Sequence, residues 1–62
     1  MDSTTLNLLT RDGIVTVLIV PSLDSDCYSE LYDIVCGADT ADELRRLVQA
    51  ACKKWERTVN FG

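Results

Sequence analysis

Residues Ile14 to Val20 read Ile-Val-Thr-Val-Leu-Ile-Val, a run that is apolar on both faces of any strand it forms. A strand of that kind needs cover on both sides, as in the interior of a larger sheet or at a contact between chains. The sequence has 62 residues, and so short a chain builds one covering layer readily and a second only with difficulty. Association with a second copy or another protein is therefore the leading physical expectation.

Leu6 to Arg11 and Ile14 to Val20 flank Asp12-Gly13. Asp-Gly between two strand-like segments predicts a tight antiparallel hairpin, with glycine accepting the positive φ of a type I′ turn. In the first arm Leu6, Leu8 and Thr10 share one face, and Asn7, Leu9 and Arg11 share the other. Pro21 cannot donate to a ladder and so closes the second strand, leaving Ser22 to Asp26 as a polar connection.

Cys27 to Cys36 supports two readings. At 100° per residue Cys27, Tyr28, Leu31, Tyr32, Ile34, Val35 and Cys36 fall on one broad side and Ser29, Glu30 and Asp33 on the other, which favours a helix. Ser25 or Asp26 would cap its start, and Gly37, in a left-handed conformation, its end. Tyr32, Ile34, Val35 and Cys36 also suit a third strand.

Thr40-Ala41-Asp42-Glu43 has the form of a capping box and predicts a helix start. Leu44, Leu47, Val48, Ala51, Cys52 and Trp55 then recur at helical spacing, with acids at the start and bases at the end that complement the helix dipole. Thr58 to Gly62 either frays or adds a short strand. The fold class expected is α+β, in a single domain over residues 1–62: an N-terminal antiparallel β-hairpin, or three strands, packed on a C-terminal amphipathic helix through Leu44, Leu47, Val48, Ala51 and Trp55. Val15, Val17 and Ile19, or their alternates Ile14, Leu18 and Val20, are expected at a contact with a partner, and alternation leaves open which set faces the helix.

The net charge of −4 is unevenly spread. Ser22 to Glu43 holds seven acids and no base, whereas Leu44 onward carries a net +4. Asp24, Asp26, Glu30 and Asp33 are the candidate surface for a basic protein partner, weighed against ordinary solvated and capping duties.

No histidine is present, which excludes histidine-dependent nucleophile pairs and histidine-based zinc motifs. The three glycines are isolated, so no glycine-rich phosphate cradle exists. Cys27, Cys36 and Cys52 lack the paired spacing that brings two thiolates to one ion, and reduced thiols are expected. Cys36, beside Gly37 at an element end, is the thiol best placed for reactivity, and a thiol- or metal-dependent activity at Cys36 and Cys27 is the alternative function. Asp24 with Asp26, and Asp42 with Glu43, lack the burial that would tune a catalytic carboxylate, and Asp24 to Asp26 lacks the rest of a calcium loop. Lys53, Lys54 and Arg57 surround Trp55, but the period places Trp55 on the core face and the acidic chain repels phosphate, so nucleic-acid binding is not expected.

No apolar run approaches the roughly 20 residues of a membrane span, and no secretory start is evident, so a cytoplasmic protein without membrane contact is expected. The functional expectation is a small acidic protein-binding module acting stoichiometrically as a regulator, inhibitor or assembly subunit, homodimeric, and not an enzyme. Accessory proteins of viruses and mobile elements offer a compositional analogy. No cofactor or metal is expected.

Overall fold

The computed structural model describes residues 2–62 and has the element order β1 (Thr4–Thr10), β2 (Gly13–Val20), α1 (Ser25–Cys36), α2 (Ala41–Lys54) and β3 (Thr58–Phe61). The fold is α+β. The strands form one antiparallel sheet in the order β1-β2-β3, which puts the doubly apolar strand in the centre. β1 and β2 pair with Leu6 opposite Val17, Leu8 opposite Val15 and Leu9 opposite Ile14, while β3 sets Phe61 beside Val17 and Val59 beside Ile19. The C-terminal residues thus add the short strand that was one of two expectations for them.

The hairpin forms, but its tip lies one residue earlier than Asp12-Gly13. Thr10 pairs with Gly13, leaving Arg11 and Asp12 at the tip. Neither has a positive φ, whereas Gly13 has φ 116°. The ladder runs unbroken through Thr10–Gly13, so Gly13 opens β2 in a backbone conformation that suits glycine and stands outside the two-residue tip. The Thr10 hydroxyl closes the tip, donating to the Gly13 carbonyl at 2.7 Å and accepting from the Asp12 amide at 3.2 Å.

Cys27 to Cys36 is helical. Its N-cap is Asp24, in place of the expected Ser25 or Asp26, and the Asp24 carboxylate accepts the Cys27 amide hydrogen at 2.8 Å. Gly37 ends α1 with φ −88°, so no left-handed residue is needed: its amide and that of Ala38 fold back onto the Ile34 and Val35 carbonyls. In α2 the Thr40 hydroxyl accepts the Glu43 amide hydrogen at 3.2 Å, as the capping-box reading requires.

A left-handed cap does occur, at the end of α2. Glu56 has φ 59°, the Glu56 amide donates to the Lys53 carbonyl, and the Arg57 amide donates to the Cys52 carbonyl at 2.7 Å. This is a Schellman closure with a glutamate where glycine is usual. It turns the chain sharply into β3.

Both helices lie between β2 and β3 in sequence and pack on the same side of the sheet. α2 lies against β2 and β3, and α1 lies alongside α2, where its Leu31 and Val35 join the same core as Leu6 and Leu8 of β1. The core joins Leu6, Leu8, Val15, Val17 and Ile19 of the sheet to Leu31 and Val35 of α1 and Ala41, Leu44, Val48, Ala51 and Cys52 of α2. Trp55, Val59 and Phe61 pack against its margin. Leu47 is only half-buried and stands outside this cluster, a correction to the expected core. By helical spacing it falls on the flank of α2 that carries Lys54, which bridges to Glu30 of α1 at 3.3 Å.

The hairpin tip is tied to the helices as well. The Arg11 amide donates to the Asp39 carbonyl at 3.1 Å, and the Arg11 guanidinium meets the Asp39 carboxylate at 3.1 Å. Asp12 accepts the Ala41 amide hydrogen at 3.1 Å. Two side chains therefore satisfy separate amides at the start of α2: Thr40 from within the helix terminus and Asp12 from the sheet.

Candidate functional site: the open face of the sheet

The structure resolves the two sets of β2 residues. Val15, Val17 and Ile19 face the helices and are buried in the chain's own core, so they are corrected from contact residues to core residues. Their alternates Ile14, Leu18 and Val20 face the other way, where none of the described helices lies over the sheet. Ile14 is 69% exposed and Val20 40%, and Leu9, directly opposite Ile14 on β1, is 81% exposed. Leu9 is a contact candidate that sequence reasoning missed. Its signal was cross-strand pairing with Ile14, which needs the register as well as the alternation.

The open face is arranged in rows across the strands. Leu9 and Ile14 form the row nearest the tip, and Asn7 and Thr16 the next, where the Thr16 hydroxyl donates to Asn7 Oδ1 at 3.0 Å. Thr5, Leu18 and Asn60 follow, and then Val20 and Thr58. None of these side chains is ionisable, although 26% of the chain is charged. The charges lie on the helices and the segments that join them to each other and to the sheet, at the hairpin tip and near the N-terminus. The face is thus apolar at both ends, hydroxyl- and amide-bearing in the middle, and uncharged throughout.

The acidic candidates are all exposed, but two have structural work. Asp24 caps α1, and Glu30 is bridged to Lys54. Asp26 sits in the first turn of α1, where a carboxylate complements the helix dipole. Asp33 has no ion-pair partner among the described residues. α1 itself carries no base, and the one ion pair these four acids make among the described residues is that of Glu30 with Lys54 of α2.

The thiols do not converge. Cys27 and Cys36 stand nine residues apart on one helix, which separates them by about 14 Å along the axis and half a turn around it. One ion or one substrate atom cannot meet both. The Cys27 thiol is pushed up, by burial first and then by its hydrogen bond with Asp24 and that group's charge. Burial likewise pushes up Cys52, against a smaller opposing effect of Arg57. Cys36 is exposed. Among the described residues no cluster of three metal-ligating side chains and no pocket is found.

Tyr28 and Tyr32, placed by periodicity on the apolar side of α1, are exposed at 37% and 45%. Their rings stack at a tilt with centroids 5.1 Å apart, and their hydroxyls meet at 3.5 Å. That hydrogen bond is the main reason the Tyr28 phenol lies above its ordinary value.

Among the described residues no helix is long and apolar enough to cross a membrane. No protein-family model, curated protein or solved structure matches the chain.

Proposed function

We propose that the protein acts stoichiometrically, as a protein-binding module whose working surface is the open face of its sheet. The observation that carries this reading is the uncharged array of exposed Leu9, Ile14 and Val20 with half-buried Leu18 on one face of the sheet, opposite the face that buries Leu6, Leu8, Val15, Val17 and Ile19. Exposed apolar area of this kind gains free energy when covered, at roughly 25 cal/mol per Å2. A protein partner fits better than a small molecule because the surface is flat and extends along the strands. The acidic helical side, with Asp24, Asp26, Glu30 and Asp33, favours a partner that is basic around its apolar contact, through long-range attraction that accelerates encounter.

The face is small. Three strands about 4.8 Å apart and about eight residues long at 3.3 Å each give a footprint on the order of 400 Å2, short of the roughly 800 Å2 per partner of a standard stable interface. A single copy binding by this face alone is expected to bind reversibly and weakly.

A photo-crosslinking residue placed at Ile14 tests the reading in cells that express the chain. Protein adducts from Ile14, with none from Gln49 on the exposed side of α2, are expected. Absence of any adduct at Ile14, or equal labelling at both positions, overturns it.

A further inference from the structure

The second surface that the sheet leaves open is the outer edge of β1, and we propose that a second copy of the chain pairs with it, β1 against β1, to make a continuous six-stranded antiparallel sheet. The contact goes beyond the open face, and it names a partner where the face reading does not.

The edge is unprotected. Folded proteins usually guard a long edge strand with charge, proline or a bulge. The seven residues Thr4 to Thr10 contain no charged residue and no proline, and they pair with β2 in unbroken register, without a bulge. The other edge, β3, is four residues long, too short to offer a comparable ladder.

The strand is also close to self-complementary. Read outward from Asn7, its sequence Thr-Thr-Leu-Asn-Leu-Leu-Thr returns leucine at Leu6 and Leu8 and threonine at Thr4 and Thr10; only Thr5 and Leu9 differ. A two-fold axis normal to the sheet at Asn7 therefore sets Leu6 beside the second copy's Leu8 on the inner face, and Thr4 beside its Thr10. Cross-strand neighbours share a face, so each apolar residue of the core side meets an apolar one. Shifting the centre to Leu8 would instead set Asn7 against Leu9 and Thr5 against Arg11. The two Asn7 side chains meet on the axis at the open face. Each has Oδ1 accepting from Thr16 and an amide NH2 with no hydrogen-bond partner among the described residues, so each can donate to the other's Oδ1, which has a second lone pair.

An independent observation points to the same contact. The axis keeps all four helices on one side of the sheet and brings the two α1 helices towards each other, because α2 occupies β2 and β3 while Leu31 and Val35 of α1 share the core of Leu6 and Leu8 on β1. The flank of α1 that would meet its copy is the one turned away from α2. Glu30 marks the α2 side through its bridge to Lys54, and Tyr28 and Tyr32, each two residues away, lie about 160° around the helix from it. The exposed tyrosine pair thus stands where a second α1 would cover it, while Asp26 and Asp33 remain towards solvent. Pairing of this isologous kind closes on itself as a dimer. It also doubles the width of the open face, bringing it to the dimensions of a standard interface.

Light scattering of the purified chain across a micromolar-to-millimolar series should show a monomer–dimer equilibrium. Asn7→Cys, in a background with Cys27 and Cys36 replaced by serine, should cross-link into a disulfide dimer on mild oxidation, since directly opposed residues of an antiparallel pair sit within disulfide reach at about 4.5–5.5 Å between Cα atoms. Thr5→Cys and Asn60→Cys should not. Tyr28→Arg with Tyr32→Arg should weaken dimerisation by at least about tenfold, which is about 1.4 kcal/mol, while dilute samples keep the parent circular dichroism spectrum and melt. A chain that stays monomeric at millimolar concentration overturns the proposal, as does a dimer that cross-links through Thr5→Cys or Asn60→Cys in preference to Asn7→Cys. Either result leaves the Ile14 crosslinking test untouched, so the edge can fail without the face.

Discussion

The two faces of the sheet are built from the same kinds of residue and meet different fates. Val15, Val17 and Ile19 alternate with Ile14, Leu18 and Val20 along one strand, yet the first set is sealed, while in the second Ile14 and Val20 are exposed and Leu18 is half-buried. Apolar character does not decide which face is covered; the supply of covering elements does. Both helices fall between β2 and β3 and dock on one side, which uses all the chain available for a layer. The sealed side is held by burial and by bonds that tie sheet to helix, whereas the open side has only contacts within the sheet. Substitutions of like chemistry on the two faces should therefore separate stability from association.

The largest contrast is Ile19 against Ile14. Ile19→Ala removes buried aliphatic volume at the centre of the core and should lower stability by about 2–5 kcal/mol. Ile14→Thr keeps a β-branched residue at an exposed site and should change stability by no more than about 0.5 kcal/mol. Chemical denaturation of both variants checks this, and a comparable loss from Ile14→Thr would show that the open face is covered within the monomer.

A finer contrast compares one kind of bond on the two sides. Asp12→Ala breaks the contact between the hairpin tip and the Ala41 amide, leaving a helix N-terminus short of an acceptor, and should lower stability by about 1 kcal/mol. Thr16→Val deletes the bond of similar length between Thr16 and Asn7 on the open face, where water replaces the lost partner. It should shift stability by less than about 0.5 kcal/mol. At roughly 4–8 °C per kcal/mol for a domain of this size, thermal melts resolve the difference.

Much of the sealed side was legible in the sequence. The Asp12-Gly13 signal predicted the hairpin, and Thr40 to Glu43 fixed the start of α2, because those features act over a few neighbouring residues. The tip was misplaced by one residue because glycine accepts a positive φ equally well inside a turn and at the first strand position after it, where Gly13 stands. Asp24 was passed over as a cap in favour of Ser25 and Asp26, three adjacent residues with equivalent cap chemistry. What was not legible depended on tertiary placement. Which face of β2 the helices cover is undetermined when both faces are apolar, and Tyr28 and Tyr32 look like core residues until α1 is set beside α2. The tie from Asp12 to Ala41 spans 29 residues and has no local signature.

A substitution at the far end of α2 sharpens the description of how the sealed side is closed. Glu56 adopts φ 59°, a conformation that carries a penalty for any residue with a Cβ. Glu56→Gly should remove that penalty, less the extra backbone entropy that glycine loses on folding, and should stabilise the protein by about 0.5–1 kcal/mol. Because the Schellman closure aims the chain into β3, the same variant should leave the sheet register unchanged. A destabilised Glu56→Gly protein would mean that the glutamate side chain contributes more than its backbone angle suggests.

The smallest expected effect concerns acid. Asp24 lies on the connection between the two layers, and its carboxyl is held below the ordinary value of 3.8, chiefly by the hydrogen bond from the Cys27 amide. A carboxylate whose pKa is depressed on folding stabilises the fold at pH values above its unfolded pKa, and this contribution disappears as the pH falls through the folded value. Stability should therefore decline below about pH 4 in part through this group. Asp24→Asn keeps an oxygen acceptor for the Cys27 amide and removes the titration, so its stability should be flatter over that window. Parallel denaturation curves of the parent and the variant from neutral pH into acid test the point. If both lose stability with the same slope, the acid sensitivity of the fold lies with other carboxylates, and the Asp24 cap works by geometry without its charge.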